Sequence, residues 1–437
     1  MRLSVFGLGY VGAVTSACLA SLGHEVVGVD VDQVKVDLIN SGRPPVIEKD
    51  LEALIVQGVS AGRLRAVTSA REAVGESELS LICVGTPSEP NGSLDLKFVS
   101  RVSQTIGQAL KDKAGRHLVV VRSTVLPGSV EGQVIPMLEA ASGKKAGRDF
   151  GVASNPEFLR ESTAVEDFFN PPKTVIGSLR VEDGQTVARL YEQVQAPLVL
   201  TSIRLAEMVK YVDNVFHALK ITFGNEIGNL CHKLDLDSHE VMSVFCLDTK
   251  LNLSPAYLKP GFAFGGSCLP KDLRALTYLA QSLDLDLPVL KAIYPSNRNQ
   301  IALAVNRVAA AGKRKIAFLG FAFKAGTDDL RESPIVDLIE TLLGKGYDLK
   351  IYDRNVNLAR LIGANRAFIE SRIPHISRLM VDRIEEALDH AEVVIIGNRE
   401  QEFLKALARL RPDQRVLDLV RLADEVDCPC PYEGLSW

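Results

Sequence analysis

The chain has 437 residues, of which 46% are hydrophobic and 24% charged, with a formal net charge of −4. That length suits two or three domains with ordinary cores, and the slight acidity excludes a basic surface made for nucleic acid or anionic membrane. No apolar run is long enough to span a bilayer, and the opening stretch MRLSVFGLGYVGAV lacks the small-residue cleavage site of a secretory signal.

In chain order, Leu3 to Gly7 reads as a short buried strand. It runs into G-x-G-x-x-G at Gly7, Gly9 and Gly12, then into a helix whose small residues Ser16, Ala17 and Ala20 allow close approach to a sheet. A second strand, Glu25 to Val29, ends at Asp30, 18 residues beyond the last glycine. A lone glycine triplet is weak evidence, but strand, turn, helix, strand and terminal acid in this order form a full dinucleotide-binding fingerprint. The glycines let backbone approach a pyrophosphate, whose charge meets the helix start. Asp30 suits an adenosine ribose and repels a 2′-phosphate, so NAD is expected rather than NADP.

Strands continue at Leu79–Gly85 and His117–Thr124, apolar runs of the kind found in parallel sheets. Each ends in a hydroxyl shortly before a proline, Thr86 before Pro87 and Thr124 before Pro127. Ligands of such sheets bind outside the carboxyl ends of the strands, so Thr86 and Thr124 are either contacts for a ligand or ordinary strand-terminating residues. A further strand from Gly151 ends at the carboxyl edge in Asn155-Pro156-Glu157.

From about Ser202 to Leu234 the pattern becomes helical. Lys210, Asn214 and His217 share one face, and Asn225, three turns beyond Asn214, returns to it. That face is either solvated or a surface for a polyhydroxylated, phosphorylated ligand; the apolar and small flanking residues favour an interior or interface helix, where polar groups need partners. The stretch GFAFGGSCLPKD follows, from Gly261 to Asp272. Pro270 suits the first turn of a helix, which places Cys268 just before a helix N-terminus, a setting that favours thiolate. From its own surroundings Cys268 is a core thiol or a nucleophile. The seven cysteines, Cys18, Cys83, Cys231, Cys246, Cys268, Cys428 and Cys430, are irregularly spaced, as expected of reduced thiols in the cytoplasm. The C-x-C pair at the end has no second pair or histidine cluster beside it, so no metal site is expected.

The last third repeats the first. RKIAFLGFAFKAGTDDLRESPIVDLIETLLGKGYDLKIYD reads as strand, turn, helix, strand and terminal acid at Asp353, and two more apolar strands follow in AEVVIIGN and QRVLDLV. The glycine triplet is absent; Lys324, Asp328, Asp329 and Arg331 stand at the strand's carboxyl edge instead. A nucleoside diphosphate can be held there through Lys and Arg, or the turn is a solvated charged loop.

Together the stretches GLGYVG, CVGTPS, VVVRSTVLPG, NPEFLRES, AEMVKYVDNVFHALKITFGNEIGN, PGFAFGGSCLPKD and GFAFKAGTDDLRESP give a chain that resembles the UDP-glucose/GDP-mannose dehydrogenase family over nearly its whole length. The resemblance implies an α/β fold with two Rossmann-like parallel-sheet domains joined by a central helical domain with a long helix. The expected divisions are an NAD-binding domain over residues 1–201, a helical dimerisation domain with the catalytic cysteine over 202–300, and a nucleotide-sugar domain over 301–437. It implies a homo-oligomer, a dimer or a dimer of dimers, that uses NAD to oxidise a sugar C6 alcohol to a carboxylate.

Within the family the segment LSPAYLKPGFAFGG and His217 favour the GDP-mannose branch, whose product feeds alginate-type polysaccharide, over the UDP-glucose branch. The implied catalytic residues are Cys268 as nucleophile, Lys210 and Asn214 stabilising oxygen charge, Asp272 activating water, and Glu157 with Thr124 in acid–base steps. The implied cofactor residues are Gly7, Gly9, Tyr10, Val11, Gly12, Asp30, Lys35, Thr86, Thr124 and Lys271, with Arg331 contributed across a dimer. On the substrate the resemblance implies Glu161, Lys210, Asn214, His217, Asn225, Tyr257, Lys259, Phe262, Gly265 and Lys324. Lys259 stands where the resemblance leads one to expect arginine; it keeps the charge and loses the bidentate fork.

Overall fold

A computed structural model describes residues 1–249, 258–284, 287–356 and 363–437. Contacts divide the chain into two compact units, Met1–Asp213 and Asn214–Trp437. The division falls inside one continuous helix, Ile203–Lys233, the helix expected over Ser202–Leu234.

The first unit is built on an eight-stranded sheet in the order β3-β2-β1-β4-β5-β6-β7-β8. The strands are β1 (Arg2–Phe6), β2 (Glu25–Val29), β3 (Leu64–Val67), β4 (Leu79–Ile82), β5 (Leu118–Val121), β6 (Gly151–Ser154), β7 (Thr174–Ser178) and β8 (Leu198–Thr201). β1 through β6 pair in parallel, and in β1, β2, β4, β5 and β6 nearly every side chain is buried on both faces, which is why they read as apolar runs rather than alternating ones, whereas β3 alternates buried and half-buried residues. One core lies around Leu3, Leu19 and Leu81, a second around Ile82, Val119 and Val152. β7 runs antiparallel to β6, and β8 follows β7 in parallel, a reversal at one edge that the strand pattern did not announce. β4 and β5 are shorter than the apolar runs suggested. β5 stops at Val121, and the next side chain, Arg122, is buried.

The second unit carries the rest of the long helix, the helices Leu269–Ser282 and Pro288–Ala310, and a five-stranded parallel sheet in the order β10-β9-β11-β12-β13. Its strands are β9 (Lys315–Leu319), β10 (Asp348–Tyr352), β11 (Val393–Ile396), β12 (Arg415–Asp418) and β13 (Tyr432–Gly434). The division expected at 300/301 falls within the helix Pro288–Ala310. None of the described helices is long and apolar enough to cross a membrane.

Candidate active site

In the first unit the glycine run does what its spacing requires. A Cβ on Gly12 would lie 1.7 Å from Gly7 O, so the helix Tyr10–Ser21 can rise against β1 only without a side chain there. A Cβ on Gly9 would meet nothing within 4 Å. Gly9 is also the N-cap, with no side-chain capping bond, so the first N–H groups of the helix, from Tyr10 and Val11 onward, are offered to an anion. Asp30, at the end of β2, accepts from Leu8 N (2.7 Å) and Asp32 N (3.0 Å), and Lys35 Nζ lies 3.4 Å from it. Asp30 therefore shapes the glycine turn as well as standing at the strand end. Open backbone at Gly9, an uncapped helix start and a carboxylate at the strand end are a donor and acceptor set that fits a dinucleotide.

Beside it the ends of β4 and β5 are laced together. Thr86 Oγ1 donates to Thr124 O at 2.8 Å, and Ser123 Oγ donates to Val84 O at 2.7 Å. The two threonines singled out by their position are thus adjacent at the carboxyl edge.

Glu157, three residues past β6, is buried and ion-paired. Its Oε1 lies 3.0 Å from Lys210 Nζ, and its Oε2 accepts from Leu159 N at 2.6 Å. Burial pushes the Glu157 carboxyl up, but the Lys210 charge, the hydrogen bonds from Lys210 and Leu159 and the Arg122 charge together hold it below the ordinary range. The Lys210 ammonium also lies 5.6 Å from the centre of the Phe158 ring. Glu161 is half-buried on the loop that follows.

Three polar anchors of this unit escaped the sequence reading. Glu48 accepts from Tyr10 Oη, from Ser162 N (2.8 Å) and from Ala164 N (3.1 Å), tying the first helix to the segment after Glu161. Glu207, on the long helix, accepts from Gly128 N (2.6 Å) and Val130 N (2.9 Å), just past Thr124. Arg122 donates to Thr15, Asn155 and Tyr191. Their partners lie far off in sequence and no local spacing announces them.

In the second unit Cys268 is the N-cap of the helix Leu269–Ser282, and its side chain is exposed. Negative charge at a helix N-terminus is stabilised. Asp272, one turn on, is 1% exposed and accepts from Asn214 Nδ2, while Lys271 Nζ stands 3.2 Å from its other oxygen as an ion-pair contact rather than a directed hydrogen bond. The loop before Cys268 is pinned by carboxamides. Asn225 Oδ1 accepts from Gly261 N (2.9 Å) and its Nδ2 donates to Phe262 O (3.0 Å); Asn297 brackets Phe264 at N (2.8 Å) and O (2.9 Å). Gly265 must be glycine, because a Cβ there would lie 2.3 Å from Glu332 O.

His217 is half-buried and Lys259 exposed. Tyr257 lies outside the described residues. Lys324 sits half-buried in the turn after β9. That turn is held as the first glycine turn is, by a terminal acid: Asp353 Oδ2 accepts from Phe321 N (2.8 Å) and Ala322 N (3.0 Å). Arg331 is bound to Asp329 within the chain, through Nε (2.9 Å) and Nη2 (2.7 Å).

Models of one family match almost end to end. The NAD binding domain of the UDP-glucose/GDP-mannose dehydrogenase family matches residues 1–195, its central domain residues 204–299, and its UDP binding domain residues 317–425. GDP-mannose 6-dehydrogenase of Pseudomonas putida is 53% identical over the whole of both chains. Among solved structures, a UDP-glucose dehydrogenase from Pyrobaculum islandicum superposes with a TM-score of 0.89 at 36% identity, covering 100% of this chain and 97% of that one. A ternary complex of GDP-mannose dehydrogenase from Pseudomonas aeruginosa gives a TM-score of 0.58 at 51% identity, covering 100% of both chains. With the glycine turn, the strand-end acid and the helix-capping cysteine in place, the chain belongs to the UDP-glucose/GDP-mannose dehydrogenase family and is an NAD-dependent nucleotide-sugar dehydrogenase.

Proposed function

We propose that this enzyme oxidises GDP-mannose at C6 to GDP-mannuronate, the activated sugar of alginate-type polysaccharides, in two successive oxidations, the second of them on a cysteine adduct. The observation that carries the choice of sugar is the contrast in identity. The chain is 53% identical to a GDP-mannose enzyme along its whole length, against 36% for the UDP-glucose dehydrogenase that superposes on it well.

The glycine turn with Asp30, Lys35, Thr86, Thr124 and Lys271 would hold NAD, which would supply a two-electron (hydride) acceptor for each oxidation. The chain's own residues handle the protons and the carbon. In the first oxidation the C6 hydroxyl loses its proton, with Lys210 stabilising the oxygen charge and Glu157 exchanging the proton. The aldehyde that results is captured by the Cys268 sulfur, which forms a C–S bond and gives a hemithioacetal. This adduct, unlike the bare aldehyde, readily gives up a second pair of electrons and becomes a thioester. Water then adds to the thioester carbon, directed by Asp272; the C–S bond breaks, the acid leaves and the thiol returns. Asn214 supports this step through its bond to Asp272.

Three parts of the chain share the work: residues 1–201 bind NAD, 202–300 carry the reaction and self-association, and 301–437 bind the nucleotide with Lys324 at its turn. Glu161, His217, Tyr257, Lys259, Phe262 and Gly265 complete the sugar-nucleotide contacts. Asn225 serves them through the loop it holds at Gly261 and Phe262. Exposed Leu205, Met208, Val212, Phe216 and Phe223 recur at helical spacing on Ile203–Lys233, an apolar row suited to a second copy of the chain. The scattered thiols suit a reducing cytoplasm.

End-point assays with GDP-mannose and UDP-glucose, measuring NADH and acid together, test the reading. Two NADH per GDP-mannose, with little turnover of UDP-glucose, is the expected result. One NADH per sugar, or a preference for UDP-glucose, overturns it.

A further inference from the structure

Arg122 is 4% exposed, and among the described residues no carboxylate lies within ion-pair distance of its guanidinium. Its partners are neutral: Nε donates to Thr15 Oγ1 (3.1 Å), and Nη1 donates to Asn155 Oδ1 (3.0 Å) and Tyr191 Oη (3.0 Å). Those partners are buried too, at 0%, 1% and 8% exposure. A buried cation with no counter-ion in contact is penalised by desolvation, so the fold holds this charge against a cost that a neutral residue would avoid.

The place of the charge suggests what it serves. Thr15 belongs to the helix that starts at the glycine turn. Asn155 opens the turn after β6 that ends, two residues later, in Glu157. Tyr191 Oη donates to Asn155 Oδ1 at 2.5 Å, and Asn155 Nδ2 donates to Val175 O at 2.9 Å, so the Asn155 side chain is fixed from three directions. The guanidinium is the only charged member of that knot. We propose that Arg122 is a positioning residue of the reaction, locking the Asn155–Glu157 turn to the cofactor helix so that the Glu157 carboxylate is held against Lys210. The proposal rests on the reading of Glu157 as the acid–base residue.

The geometry has an electrostatic consequence. The charges acting on Glu157 are the Lys210 ammonium, from the long helix, and the Arg122 guanidinium, from the end of β5. The other titratable groups beside Arg122 are thiols and a phenol that burial raises: Cys18 and Cys83, each pushed up to about 12, and Tyr191. They stay neutral through the working pH range, and Arg122 acts on Glu157 without competition from them.

The test uses the full-length enzyme, varying NAD and sugar nucleotide in turn with the other saturating, and follows kcat and kcat/KM from pH 5 to 9. Arg122→Gln removes charge and fork; the acidic limb is expected to move to higher pH by roughly half a unit or more, as for one charge lost at an effective dielectric of ~20, with kcat down at least tenfold. Arg122→Lys keeps charge without the fork; the limb is expected to stay while kcat falls and both KM values hold within twofold. Folded Arg122→Gln with an unmoved limb, or Arg122→Lys with unchanged kcat, overturns the proposal. Should Arg122→Gln fail to fold, the Lys variant decides alone. Glu157→Gln, run in parallel, separates the two readings: full activity there sinks the role given to Glu157, whereas a crippled Glu157→Gln beside a normal folded Arg122→Gln sinks only the inference about Arg122.

Discussion

Asn214 donates from Nδ2 to Asp272 Oδ2, and both side chains are buried. Asp272 N in turn donates to Cys268 O at 2.9 Å, as the first turn of its helix requires. A carboxylate is thus fixed one helical turn from the sulfur, held by a carboxamide from another helix. Replacing Asp272 with Asn keeps the shape and removes the base. Acid release is expected to slow by about 10²–10⁴-fold, with a covalent sugar adduct on the enzyme accumulating in intact-mass spectra. A variant that releases acid at the normal rate would show that water is activated elsewhere. Asn214→Ala leaves a buried carboxylate short of one donor and is expected to cost about 1–3 kcal/mol in denaturant unfolding.

The exposed Cys268 makes few packing demands, so its loss should be chemical rather than structural. Cys268→Ser is expected to leave the melting temperature and NAD affinity near wild type and to abolish carboxylate formation, because an alkoxide adduct lacks the thioester route. Mapping of a trapped adduct to another side chain would remove the cysteine from the mechanism.

The parts of the site that sequence made legible are those where a few neighbouring residues fix the geometry. The Gly7–Gly12 turn and Asp30 are one local device, and the helix through Lys210, Asn214 and Asn225 follows from its period. The anchors that stayed hidden work across long separations. Arg122 meets Tyr191 69 residues away, Glu207 meets Val130 77 residues away, and Glu48 meets Ala164 116 residues away. Arg122 was also masked by its setting, since HLVVVRST reads as one apolar strand running to Thr124. The antiparallel turn into β7 was hidden for a related reason: an apolar buried strand looks the same whichever way it runs.

Glu207 supplies a pH dependence of stability. Burial raises its carboxyl to about 7, while the Val130 and Gly128 amides lower it and Glu131 raises it further. The unfolded chain titrates near the ordinary carboxylate value of ~4.3. The folded state therefore binds the proton more tightly, so the group's contribution to stability is full below the unfolded value and is lost as pH rises toward about 7. Glu207→Gln cannot lose it. The melting temperature of wild type minus that of the variant should fall by about 3 °C or more between pH 5 and pH 8, other titrating groups cancelling in the difference. A constant difference would mean that the two backbone donors keep Glu207 charged throughout.

Gly9 and Gly12 are three residues apart in one motif, yet they should fail in different ways. At Gly12 a methyl group would lie 1.7 Å from Gly7 O and 3.3 Å from Cys83 Cβ. Backbone and strand end must move apart, so Gly12→Ala is expected to give a much less stable protein, or an insoluble one, with or without NAD. At Gly9 the same methyl group meets nothing within 4 Å and the backbone, at φ −75°, is one that alanine adopts. Gly9→Ala should therefore melt within about 1 °C of wild type when apo, as expected of a substitution away from packed features. Its cost should appear only with the cofactor, because the methyl group occupies the approach that pyrophosphate needs to the helix N–H groups. NAD affinity is expected to drop at least tenfold by calorimetry, and the rise in melting temperature on adding NAD should shrink accordingly. Equal apo destabilisation by the two substitutions, or undiminished NAD binding by Gly9→Ala, would mean that the open side of the turn is not where the dinucleotide lies.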